Sequence, residues 1–126
     1  LQKIKNKFDE GNNWVITDYI HCDFNKTQLF NYKQSFYTGN PFTLNNTGNP
    51  SIHSFINDPE LEMDKNLLFI VDCEFNYQLY KKYGMPYCIN EPLHCLRHHP
   101  HSACYNPQFY NLKDQEEIYF KNKHNL

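Results

Sequence analysis

Apolar residues recur at helical spacing across residues 58–84. One face carries, at intervals of three or four, Leu68, Val71, Phe75, Leu79 and Tyr83. This is the period of an amphipathic helix. Asp58 is a favourable N-cap and Pro59 suits the first turn, while Gly84 suits the left-handed residue that ends a helix and Pro86 prevents continuation. The pattern therefore predicts one long helix over about residues 58–83.

The apolar surface of this predicted helix is wider than a normal amphipathic stripe. The residues that widen it are Leu67, Ile70, Tyr77 and Tyr80. A helix of about 25 residues would be ~38 Å long, which is more than a chain of this size readily covers. We therefore expect the helix to pack on another polypeptide through a face that includes Phe75 and Leu79.

The other segments have weaker or irregular patterns. Residues 1–10 have the spacing of a short helix that ends at Gly11, and the β-branched and aromatic residues around Thr17 favour a strand. Residues 37–57 are rich in Gly, Pro and Asn, which predicts an extended arm. Residues 112–126 form either a terminal helix or a docking peptide.

Prolines at positions 92, 100 and 107 disfavour helices after residue 86, so this segment is expected to be irregular. The expected fold class is mainly α, small and irregular. It would comprise the long helix at about 58–83, extended loop-rich arms and a Cys/His-rich C-terminal segment.

Composition and charge limit the partners of the chain. Its 126 residues and 15.2 kDa fit a single domain over residues 1–126. A net charge of −2 argues against nucleic acid as a partner, and no stretch approaches the ~20 apolar residues of a membrane span. Ten Tyr and ten Phe beside one Ala and two Val favour contacts with other protein subunits. The chain begins with Leu1 rather than Met, and we expect that a targeting peptide has been cleaved.

The strongest chemical pattern is a cluster of cysteines and histidines near the C-terminus. Its regularly spaced members are Cys95, His98, His101 and Cys104, with Cys88 and His94 as substitutes just upstream. Two Cys and two His are the ligand set of a tetrahedral Zn²⁺ site, so the pattern predicts a possible zinc clamp. The alternatives are a disulfide from Cys88 to Cys95 or Cys104, and a cluster that binds no metal and forms no bridge.

Two further motifs bear on function. The string Cys104-Tyr105-Asn106-Pro107 resembles the core of His-Cys box homing endonucleases, which implies a zinc loop supporting a metal-dependent nuclease site. The histidine of that family two places after the proline is replaced here by Phe109. The sequons Asn25-Lys26-Thr27 and Asn45-Asn46-Thr47 are potential glycan acceptors in a secreted protein.

Three hypotheses on function follow. The leading one is a non-catalytic accessory or structural subunit of a larger protein assembly, mitochondrial, with a local metal or disulfide clamp. The first alternative is a secreted binding protein stabilised by disulfides. The second is a small metal-dependent nuclease that resembles the His-Cys box enzymes.

Overall fold

The computed structural model describes residues 1–23, 25, 27–32, 52–97 and 106–126. In chain order the elements are helix α1 (Gln2–Asp9), strands β1 (Trp14–Cys22), β2 (Gln28–Tyr32) and β3 (His53–Phe55), helix α2 (Val71–Tyr83), strand β4 (Tyr87–Arg97) and helix α3 (Tyr110–His124). A single 3-10 turn, Pro107–Phe109, leads into α3.

Strand β1 is the centre of a mixed sheet. Along one edge it pairs in antiparallel fashion with β3 through residues 14–16 and with β2 through residues 19–22. The parallel partner β4 pairs with residues 15–22 of β1. Because a strand has only two edges, β2 and β3 lie end to end on one side of β1 and β4 lies on the other. Every residue of β1 except Ile20 is buried.

Strand β4 is interrupted where it passes Pro92. Thr17 of β1 pairs with Ile89, Asp18 with Pro92 and Tyr19 with His94, so three residues of β4, at positions 90, 91 and 93, bulge out of register. Proline has no N–H to donate to the ladder, and a bulge is one of the few places where a sheet accepts it. The expectation that the chain is irregular after residue 86 is therefore wrong for residues 87–97.

Helix α2 packs on the chain's own sheet. Its buried Phe75 and Leu79 contact Trp14 and Ile16 of β1, and these four residues form one core cluster. Helix α3 contributes the fully buried Phe120 to a second cluster, which otherwise comprises Leu67, Ile70 and Cys73. Phe75 and Leu79, which the sequence assigned to an external partner, are thus covered within the chain.

The predicted helix over residues 58–83 is wrong, because the helix begins only at Val71. Leu61 N donates to the carbonyl of Asp58, and the amide of Asn66 donates to the Asp64 carboxylate, so residues 58–67 form turns. Asp58, at the start of this segment, forms an ion pair with Lys82 in the last turn of α2. Residues 58–70 therefore run back along α2 instead of extending it, and only the predicted stop at Gly84 is confirmed.

The expected fold class, mainly α with one long helix, is wrong as well. The described chain combines three helices with a four-stranded sheet, and its longest helix is α3 with 15 residues. The short helix before Gly11 and the strand at Thr17 are confirmed. Of the two alternatives for residues 112–126, the structure has the terminal helix. Residues 37–51 of the predicted arm lie outside the described residues. Of its remaining residues, 53–55 form β3.

His53 is held neutral in the sheet. Trp14 Nε1 donates to His53 Nδ1 at 3.3 Å, and burial lowers the pKa of the imidazole to about 4. In the unfolded chain a histidine binds its proton near pH 6.5. Between pH 6.5 and 4 the unfolded chain therefore binds more protons than the folded one, and acidification across this window lowers stability. A nuclear magnetic resonance titration should place the His53 transition near pH 4, whereas a transition near 6.5 would contradict its burial.

Candidate functional site

The described chain has an open groove between the two longer helices and the segment that folds back along them. Its volume is about 870 Å³. One wall comes from residues 59–66, and the other from exposed and buried positions of α2 and α3. The side chains that line the groove include Met63, Asp64, Glu74, Tyr119, Lys123 and His124.

A buried carboxylate lies at the base of this groove. Glu74 of α2 is fully buried, and its Oε1 accepts from Lys123 Nζ at 2.7 Å and lies 3.1 Å from His124 Nε2. Its other oxygen accepts from Gln78, one turn further along α2, at 2.6 Å. An ionised carboxylate tolerates burial only when it is paired in this way. Glu74 thereby fixes the C-terminal turn of α3 against α2.

Lys123 bridges two carboxylates from different segments. Its Nζ lies 2.8 Å from Asp64 Oδ2 and 2.7 Å from Glu74 Oε1. Burial alone would lower the pKa of Lys123, but the hydrogen bonds to Asp64 and Glu74 outweigh it and raise that pKa. The same contact with Lys123 lowers the pKa of Asp64 to about 2. At physiological pH Asp64 is therefore ionised and Lys123 is protonated.

A second buried carboxylate, Glu116 of α3, binds the backbone that leads into α2. Its Oε1 accepts from Leu68 N at 2.8 Å, and its Oε2 accepts from Phe69 N and Ile70 N at 2.8 and 2.9 Å. Leu68 and Phe69 precede the helix and Ile70 is its N-cap residue. The N-cap amide has no partner within the helix, and the Ile70 side chain cannot cap it, so Glu116 caps the entry into α2 from another element.

Replacing Glu116 by Gln is expected to lower the free energy of unfolding by about 1–3 kcal/mol, because an amide in place of the carboxylate turns a donor toward backbone N–H groups. Glu117→Gln is the matched control. Glu117 makes only an i,i+4 ion pair with Lys113 at 3.7 Å, so its loss should cost less than about 0.5 kcal/mol. Equal urea midpoints for the two variants would contradict the capping role of Glu116.

The structure uses the members of the Cys/His cluster in different ways. Cys95 forms a disulfide with Cys22, with their Cα atoms 6.5 Å apart, and it is not a thiolate ligand in that state. Cys88 is a free thiol, so the expected bridge from Cys88 to Cys95 is wrong. His94 Nδ1 lies 2.8 Å from Thr17 Oγ1 of β1. The other predicted zinc ligands, which are His98, His101 and Cys104, lie outside the described residues.

The strand register explains the Cys22–Cys95 pair. Cys22 is level with Arg97 and Cys95 is level with Ile20, so the two cysteines lie two positions apart on neighbouring strands and on the same face. A Cα separation of 6.5 Å is within the range of disulfides. The bridge therefore ties the end of β1 to the parallel strand β4. Cys95 lies 73 positions after Cys22 in the chain.

The two free thiols are poorly suited to nucleophilic chemistry. Burial and the neighbouring Asp72 raise the pKa of Cys73, and burial raises the pKa of Cys88. Both therefore stay protonated, whereas the nucleophile in cysteine catalysis is the thiolate. Within the described ranges, no group of three or more His, Cys, Asp or Glu side chains is arranged to hold a metal ion.

Comparison with known proteins gives no relative. No family model matches the chain, and neither a curated protein nor a solved structure is significantly similar to it. In the described part of the chain, each helix is too short or too polar to span a bilayer.

Sequence reasoning missed the buried charges of the groove. The acidic residues of α2 fit the pattern of a solvated helix face, yet Glu74 is fully buried. Its partners Lys123 and His124 lie 49 and 50 positions later, so no local spacing indicates the contact. The only local signal is the i,i+4 spacing of Glu74 and Gln78 on one helix face.

Proposed function

We propose that this chain is a non-catalytic accessory domain that binds a partner protein through the groove between α2, α3 and residues 59–66, and that it acts outside the cell. The observation that carries the proposal is the state of the groove's charged groups. Asp64 and Glu74 are both paired with Lys123, so the ion pairs hold the groove in one arrangement and occupy both carboxylates.

Apolar side chains beside these charges support a protein as the ligand. Met63 is 56% exposed and Tyr119 is 37% exposed, and both line the groove. Methionine and tyrosine are enriched at protein interfaces, because they bring large contact areas and adapt to a partner's shape. The Tyr119 hydroxyl donates to Asp64 Oδ2 at 3.0 Å, which holds its ring at the groove wall before any partner binds.

The Cys22–Cys95 disulfide supports an oxidising compartment. Disulfides persist in secreted and cell-surface proteins and are rare where thiol reductants are abundant. A small domain with a modest core also gains most from such a bridge. For the compartment we therefore favour the secreted alternative over a mitochondrial one, and we retain the accessory, protein-binding role.

The two methionines of the chain provide a matched test of the groove. Met63 lies in the groove and is 56% exposed, whereas Met85 lies outside it, in the loop after α2, and is 58% exposed. We expect Met63→Asp to reduce partner affinity roughly tenfold or more, since a charge would be buried at the contact. Met85→Asp should leave affinity unchanged. The measurement is the fraction of tagged chain that migrates as a complex on native gels, at several concentrations.

Circular dichroism of both variants separates binding from folding. Since both side chains are more than half exposed, the two variants should unfold at the same temperature as the parent chain. If both variants retain the complex, or if Met85→Asp alone loses it, the groove is not the binding surface.

A further inference from the structure

The turn between β1 and β2 presents an asparagine to solvent within an acceptor motif. Asn25 lies in this turn and is exposed, and the Thr27 that completes the motif Asn25-Lys26-Thr27 is exposed as well. The turn is closed at its base by Asp23 N donating to the Thr27 carbonyl at 3.0 Å and by Thr27 N donating to Asp23 Oδ1 at 2.7 Å. The acceptor residue thus stands at the tip of a hairpin.

We propose that Asn25 carries an N-linked glycan. The inference rests on the proposed function, because glycan transfer requires passage through the secretory lumen. There the side-chain nitrogen of Asn25 would form a bond to the anomeric carbon of a lipid-linked oligosaccharide. The bond from that carbon to the lipid pyrophosphate breaks, the pyrophosphate departs with the electron pair, and the amide gives up one proton.

The local structure suits this modification in two ways. First, a transferase needs an acceptor that protrudes, and a hairpin tip with both motif residues exposed provides one. Second, the side chain of Asn25 makes no hydrogen bond to another described residue, so attaching a sugar would break no contact among them. Thr27 is exposed as well.

The disulfide that supports the oxidising compartment lies on the same hairpin as the acceptor. Cys22, which ends β1, lies three residues before Asn25 and is bonded to Cys95. The same compartment that oxidises this pair also holds the machinery for glycan transfer. An exposed acceptor and an oxidised cysteine pair on one hairpin therefore point to the same route through the cell.

The test is mass spectrometry of the native protein from its source, before and after peptide N-glycosidase in ¹⁸O water. We expect the peptide that contains Asn25 to lose the mass of an oligosaccharide and to gain one ¹⁸O-labelled carboxylate at that residue. In secreted recombinant protein, Thr27→Ala should abolish this shift and Thr27→Ser should retain it. Both variants carry Asn45→Gln, so that the second motif cannot contribute.

A thiol count on the same native sample separates the two proposals. An oxidised Cys22–Cys95 pair with an unmodified Asn25 overturns the glycan inference alone. Free thiols at both cysteines together with an unmodified Asn25 overturn both the inference and the extracellular location. A shift that survives Thr27→Ala would also refute the assignment, since the modification would then not depend on the motif.

Discussion

Replacing Cys22 and Cys95 together by alanine is expected to lower the free energy of unfolding by roughly 2–5 kcal/mol. The bridge joins residues 73 positions apart, so in the chain-entropy account it removes many conformations from the unfolded state. Urea unfolding of the double variant and of the parent chain, both without reductant, measures the difference. A loss of this size is a large part of the stability of an ordinary small domain.

This prediction has two controls, which are reducing agent and a variant that lacks the free thiol of Cys88. Reducing agent should destabilise the parent chain to the level of the double variant and should leave the double variant unchanged. Cys88→Ala removes a half-buried free thiol and no bridge, so it should cost much less. If reductant has no effect on the parent chain, the bridge does not hold β1 to β4 in solution.

Truncating Leu79 to alanine should lower the free energy of unfolding by about 2–5 kcal/mol, the usual cost of a cavity in a packed core. Leu79 is fully buried in the cluster with Trp14, Ile16 and Phe75. Leu68→Ala is the control, because Leu68 is 68% exposed. Its truncation should change stability by less than about 0.5 kcal/mol.

The Leu79 result distinguishes two interpretations of the same helix face. The sequence pattern assigns Phe75 and Leu79 to a contact with another polypeptide, in which case truncation would weaken binding and spare the isolated chain. The structure places them against β1, so truncation should destabilise the isolated chain itself. An isolated Leu79→Ala chain with the same urea midpoint as the parent would contradict this core.

Local patterns predicted the elements whose own residues carry a strong local preference. The strand at Thr17 follows from its β-branched and aromatic neighbours, and the stop of α2 follows from Gly84, whose φ of +75° suits a residue without a Cβ. The start of α2 could not be predicted in this way. Its capping carboxylate, Glu116, lies 46 to 48 positions beyond the amides that it binds.

The sheet escaped prediction for a related reason. Strand β4 contains Pro92, which by local rules argues against a strand, and only its pairing with the buried β1 overrides that preference. The disulfide depends on the same register, since Cys22 and Cys95 become neighbours only when β4 lies beside β1. The cysteine spacing instead suggested bridges within the C-terminal segment.

If the chain works as a component bound to another protein through its groove, the wild-type protein from its source should sediment as a complex. Sedimentation velocity under non-reducing conditions measures this. We expect a particle clearly heavier than the single chain of 15.2 kDa, with a second polypeptide in constant ratio to it. A particle with the mass of the single chain, with or without one glycan, at every concentration tested would show that the chain acts alone.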